Sequence, residues 1–131
     1  MSFTETFAPQ PGDIDELNHV NNAVWVRWIQ DIATSHWRAV AAPEHVDAYL
    51  WVVVRHEIDY LGNMAAGDIA TGRTWVGEAP KGARFDRHVE FSRDGRVLVR
   101  AKTTWAIVDK ATGKIKRVPP EVAAPFLDDR A

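Results

Sequence analysis

The 131-residue chain contains no cysteine. Disulfides, a thiol nucleophile and any thiolate-held metal are thereby excluded. Long apolar runs are missing too: Tyr49 to Val54, extended to seven residues by Ala48, is the longest. A membrane-crossing helix needs about 20. No basic segment followed by an apolar run stands near the start, so no secretory signal is expected and a cytoplasmic location is predicted. Positive charge is not in excess, since 16 Lys and Arg face 18 Asp and Glu for a net charge of −2. Neither nucleic acid nor a membrane surface is predicted as a partner. The histidines at 19, 36, 45, 56 and 88 lack ligand spacing, and no metal is expected. A Gly-rich phosphate loop and a Gly-x-Ser-x-Gly elbow are also absent.

What remains is an ordinary globular composition, 46% apolar and 26% charged. It predicts one domain spanning residues 1–131. The segment that organises it runs from Asp13 to Val40. Between Asn22 and Val40, apolar residues at 25, 28, 29, 32, 33, 37 and 40 recur with helical spacing. Arg27, Gln30, Asp31, Thr34, Ser35 and Arg38 occupy the other side. Asn21 or Asn22 is the natural N-cap, and Pro43 cannot continue the helix. Three of the six Trp residues lie on this helix, which predicts bulky rings against its packing partner.

Before the helix, Phe3 to Phe7 reads as a short strand ended by Pro9 and Pro11. After a polar link at Glu44–Asp47, the pattern turns to strands. Tyr49–Tyr60 is apolar on both faces at its start, which predicts a central, covered strand. It places Trp51, Val53 and Arg55 on one face, with Val52, Val54 and His56 on the other. Ile69–Val76 follows. Ala83–Ser92 alternates, with Phe85, Val89 and Phe91 inward, and Arg87 breaks the inward set. Asp94-Gly95 is a hairpin turn into Val97–Val108. Lys114–Val118 is a further short strand, and Glu121–Leu127 a last helical turn or two. One long helix and a run of antiparallel strands make an α+β layer fold, with the sheet curled around the helix.

Asp15 and His19 precede a helix start, where unpaired N–H groups and the positive dipole end gather. Such a place holds negative charge as it develops. Asp13 and Asp15 also serve there as simple dipole compensation.

The string Asp15-x-x-x-His19-Val20-Asn21-Asn22-Ala23-x-Trp25 resembles hotdog-fold thioesterases of the 4-hydroxybenzoyl-CoA thioesterase type. Their signature reads Asp-x-Asp-x-x-Gly-His-Val-Asn-Asn-Ala-x-Tyr. The matching stretch of plant acyl-ACP thioesterases is similar. Glu57 to Tyr60, Gly67-Asp68, Phe85, Val89-Glu90-Phe91 and Asp94-Gly95 extend the resemblance over nearly the whole chain. Departures are Asn18 for the family's small residue and Trp25 for its Tyr. Leu17 stands where the acyl-ACP enzymes carry Asn, and Asn63-Met64 is all that lies near their Glu-Cys pair.

The resemblance implies a hotdog fold with five or six strands around one helix. It implies an acyl-CoA thioesterase that needs no cofactor, with Asp15 as nucleophile or general base. The backbone N–H at Asn22 would hold the oxyanion, and His19 would polarise the carbonyl, position water or order the loop. Trp25, Lys81 and Arg84 would bind substrate, the two cations through the CoA phosphates. Asp13 would be structural, capping the loop or meeting Arg27. The implied assembly is a homodimer or a homotetramer, with sites shared between subunits. A non-catalytic acyl-CoA-binding hotdog protein and an acyl-ACP thioesterase are the alternatives.

Overall fold

The computed structural model describes residues 2–127. Helix α1, Asn22–Val40, begins and ends as its sequence predicts. Asn21 is the N-cap, its side chain accepting from the Ala23 N–H at 2.9 Å. Helix α2, Pro43–Ala48, takes up the expected polar link, with Pro43 in its first turn, where a missing N–H costs nothing.

The strands are β1 Phe3–Phe7, β2 Tyr49–Tyr60, β3 Ala70–Trp75, β4 Arg84–Arg93, β5 Arg96–Asp109 and β6 Lys114–Ile115. They form one six-stranded antiparallel sheet in the order β1-β3-β4-β5-β2, with β6 against β5. Asp94 and Gly95, with φ of 52° and 78°, make the tight β4–β5 turn. Helix α3, Pro120–Leu127, follows β6.

Helix α1 lies across the inner face of this sheet. Trp25 and Trp28 pack edge to face at 5.1 Å, and Phe7 and Phe91 close around them. Full burial of each such large apolar side chain stabilises by roughly 1.5–3 kcal/mol. At Gly72 on β3 a Cβ would meet Phe7, Ile32 and Phe91 at 2.9–3.0 Å. The helix therefore packs tightly on the sheet at that glycine. A second cluster, around Trp37, Phe85, Ile107 and Phe126, fills the other end of the helix.

Two strand expectations need correction. Strand β2 is not central: it is the edge of the sheet, and Leu50, Val52 and Val54 are exposed along it. Strand β5 is interior, because β4 and β2 flank it on either side. A bulge between Val53 and Arg55 reverses the alternation of β2, so His56 and Ile58 turn inward after Trp51 and Val53. Strand order and bulges are set by distant pairing, which local alternation does not report.

Candidate functional site

The loop before α1 is closed by its own backbone. Ile14 and Val20 bridge antiparallel, the Asp15 N–H donates to the His19 carbonyl at 2.8 Å, and the Asn18 N–H donates to the Asp15 carbonyl at 3.1 Å. Asn18 sits at φ 59°. Only Gly enters that region freely, and Asn is the side chain that tolerates it best. This explains why Asn18 can stand at the signature's glycine.

The Asp15 carboxylate is held by the same turn. Its Oδ1 accepts from the Leu17 N–H at 2.9 Å and from the His19 N–H at 3.1 Å. Its Oδ2 has no partner among the described residues, and the residue is exposed. His19 contributes its backbone at both ends of the loop, while its ring lies exposed. At the helix start, Asn21 takes up the Ala23 and Val24 N–H groups. The Asn22 N–H has no partner among the described residues. An anchored carboxylate and an unpaired helix-end donor thus share one loop.

Asp13 anchors this loop from below. Its Oδ2 accepts from the Gln10 N–H at 2.9 Å, and both its oxygens lie 3.2 Å from Arg27 Nη2. The Gln10 N–H, then Arg27, hold its carboxyl below the usual range against the opposing effect of burial. Both structural roles expected of Asp13 are present.

Sequence reasoning missed Asn63. Its Oδ1 accepts from the Val20 and Met64 N–H groups at 3.1 and 2.8 Å, and its Nδ2 donates to the Val20 carbonyl at 3.1 Å. The side chain so acts as a piece of strand, pinning the loop to the segment after β2. The only signal was its place near the Glu-Cys position of the acyl-ACP enzymes.

The expected substrate residues lie apart from this loop. Trp25 is 0% exposed, and its indole N–H has no partner among the described residues. It fills the core beneath the loop and presents no open face to a ligand. Lys81 and Arg84 close a tight turn by mutual backbone bonds of 2.8 and 3.0 Å, with Gly82 at φ 62°. Arg84 is level with Ala106 on β5, whereas Tyr60, whose hydroxyl reaches 3.5 Å from the Asn22 carbonyl, is level with Val99. Seven residues of strand separate those levels, about 23 Å. One chain does not bring Lys81 and Arg84 to Asp15.

A cavity of about 220 Å³ opens at the Arg84 end. Trp37, Trp51, Phe85, Trp105 and Phe126 line it, together with Arg87. Buried behind it, His36 Nδ1 accepts from Arg87 Nη1 at 2.7 Å, and Thr74 Oγ1 accepts from the same nitrogen at 3.0 Å. Burial, then the Arg87 charge, push the His36 ring down to about 4. The ring is neutral when folded, so the unfolded chain binds the extra proton between about pH 6.5 and 4. Stability is then fully present above that window and falls as pH drops through it, by on the order of 3 kcal/mol. Denaturant unfolding at pH 7 and 4.5 checks this. His36→Gln should lose less stability than wild type over the interval, and equal losses would contradict the assignment.

Among the described residues no helix is long and apolar enough to cross a membrane. Residues 9–126 match the thioesterase-like superfamily. A chloroplastic palmitoyl-acyl carrier protein thioesterase of Gossypium hirsutum is 28% identical over 93% of this chain. The chain spans 32% of that protein's length. A 1,4-dihydroxy-2-naphthoyl-CoA thioesterase from Synechocystis superposes with a TM-score of 0.79 at 18% identity, covering 99% of this chain and 98% of its own. A thioesterase from Thermus thermophilus, complexed with coenzyme A and Zn, gives 0.83 at 18% identity over 98% and 95%. At such identities the two structures share the hotdog fold with this chain.

Proposed function

The chain belongs to the thioesterase-like superfamily, and from that premise we propose that it hydrolyses an acyl-CoA to a carboxylic acid and free CoA. The observation that carries the reading is the Asp15 loop. One carboxylate oxygen is fixed by two N–H groups and the other is open, and the Asn22 N–H at the end of the same loop has no partner among the described residues. As a base, Asp15 takes a proton from water while the water oxygen adds to the thioester carbon. As a nucleophile, it adds to that carbon itself, and water then cleaves the mixed anhydride. Either route puts negative charge on the former carbonyl oxygen, and the Asn22 N–H is the donor for it. Collapse expels the CoA thiolate, which takes up a proton. His19 orders the loop through its backbone. No cofactor is required.

The working unit is a dimer built on β2. An edge strand bearing exposed Leu50, Val52 and Val54 invites pairing with its own copy. A two-fold axis near the middle of β2 sets Tyr60 of one chain opposite the partner's Tyr49. The Asp15 loop then stands beside the partner's aromatic cavity, at the level of the partner's Lys81 and Arg84. Those two cations bind the CoA phosphates. Leu17, 74% exposed at the loop tip, is covered in the same step.

A second reading takes an acyl carrier protein as the thiol, in keeping with the curated relative's name. Leu17 and Asn63-Met64 count against it. A panel of acyl-CoAs and acyl carrier protein thioesters, assayed for released thiol without added metal, tests both. The proposal expects turnover on CoA thioesters with one acid formed per thiol. Faster turnover on the carrier protein favours the second reading, and CoA binding without turnover makes the chain a non-catalytic binder.

A further inference from the structure

Arg87 interrupts the inward apolar set of β4, and nothing in the proposed chemistry uses it. The side chain is 8% exposed, yet no carboxylate among the described residues lies within ion-pairing distance of it. A buried cation with no counter-ion among the described residues favours a negatively charged ligand. A guanidinium carries five N–H donors. Two are spent by Nη1, on His36 Nδ1 and Thr74 Oγ1. The three on Nε and Nη2 have no partner among the described residues. His36 and Thr74 thus hold the fork by one nitrogen and leave its other edge free.

That edge belongs to the aromatic cavity, which Arg87 lines. Arg38 and Lys110 line it as well, and no acidic side chain among the described residues does. Trp105, another lining residue, has a buried indole N–H without a partner among the described residues. The Phe126 ring lies 5.8 Å from the guanidinium carbon and steadies it from one side. Three cations, with no acidic side chain among the described lining residues, favour a negative group.

The size of the cavity narrows the class. Its 220 Å³ is below the ~300–1,000 Å³ common for drug-sized ligands. That suits one substituted ring better than a long alkyl chain. The walls offer ring faces and edges for stacking.

We propose that this cavity is the acyl-binding pocket for an aromatic acid whose far end bears a carboxylate, and that Arg87 is the residue that selects it. The assignment rests on the thioesterase reading and on the β2 dimer, which brings the partner's Asp15 to the cavity mouth. Burial pushes the Arg87 guanidinium down to about 10, which leaves it charged at neutral pH. The neutral His36 ring behind it accepts from Nη1 and so orients the guanidinium fork.

The test compares 4-carboxybenzoyl-CoA with 4-methylbenzoyl-CoA, two thioesters of nearly equal shape. Wild type should show a kcat/KM at least ~10-fold higher for the carboxylate, because a fork left unpaired by the methyl compound penalises it. Arg87→Met should bring the ratio to about one, and Arg87→Lys should keep part of the preference. The wild-type comparison stands even if Arg87→Met fails to fold. Equal rates in wild type, or a preference that survives Arg87→Met in a folded protein, would overturn the proposal. Binding is read separately, by quenching of Trp fluorescence with free benzoate and benzamide. Benzoate should bind more tightly, by an amount that Arg87→Lys reduces. That result in a protein inactive on every thioester would sink the hydrolase reading and leave the anion pocket standing. No difference between the two probes would remove the pocket whatever the activity.

Discussion

Asp15→Asn should lower kcat on an acyl-CoA by at least ~100-fold while leaving the fold intact. The amide keeps a side-chain oxygen where Asp15 Oδ1 accepts from the Leu17 and His19 N–H groups. The loop therefore retains both bonds and its shape. What is lost is the charged, unpaired second oxygen, the atom that would attack carbon or take a proton from water. The side chain is exposed, so little stability depends on its charge. KM should move far less than kcat. Asp13→Asn should do the reverse. It weakens the tie to Gln10 and Arg27 and costs stability, with a much smaller effect on turnover. A folded Asp15→Asn protein with near-normal kcat would end this mechanism.

Much of the scaffold was legible because its signals are local. Apolar spacing, a capping Asn21 and Pro43 delimit α1, and Asp94-Gly95 marks its hairpin by needing two positive φ angles. The loop before α1 was legible as a motif, and the structure adds why Asn18 suffices there. What escaped depends on contacts between distant residues. Asn63 reaches back 43 residues to Val20, a pairing that no spacing rule reveals. Arg87 was visible as a break in alternation, but its partner His36 lies 51 residues away on the helix and counted as one of five scattered histidines. The edge position of β2 escaped for another reason. Its two apolar faces do call for cover on both sides, and that cover is not supplied within the chain. In the dimer proposed above a second copy pairs its open edge.

The central claim is that the Asp15 loop of one chain works on the pocket and phosphate-binding cations of the other. Lys81→Ala/Arg84→Ala should raise KM for acyl-CoA, most at low salt, while Asp15→Asn is inactive. Each defect lies on a different side of the shared site. Unfolding the two variants and refolding them together gives random pairing, so about half of the dimers are mixed. In a mixed dimer one site carries both defects and the other carries neither. The measurement is kcat/KM at low substrate on a solution whose mixed dimers have been counted by native mass. The account predicts recovery to roughly a quarter of wild type, well above either parent. Activity no higher than the average of the two parents, with mixed dimers present, would mean that each site is built within one chain.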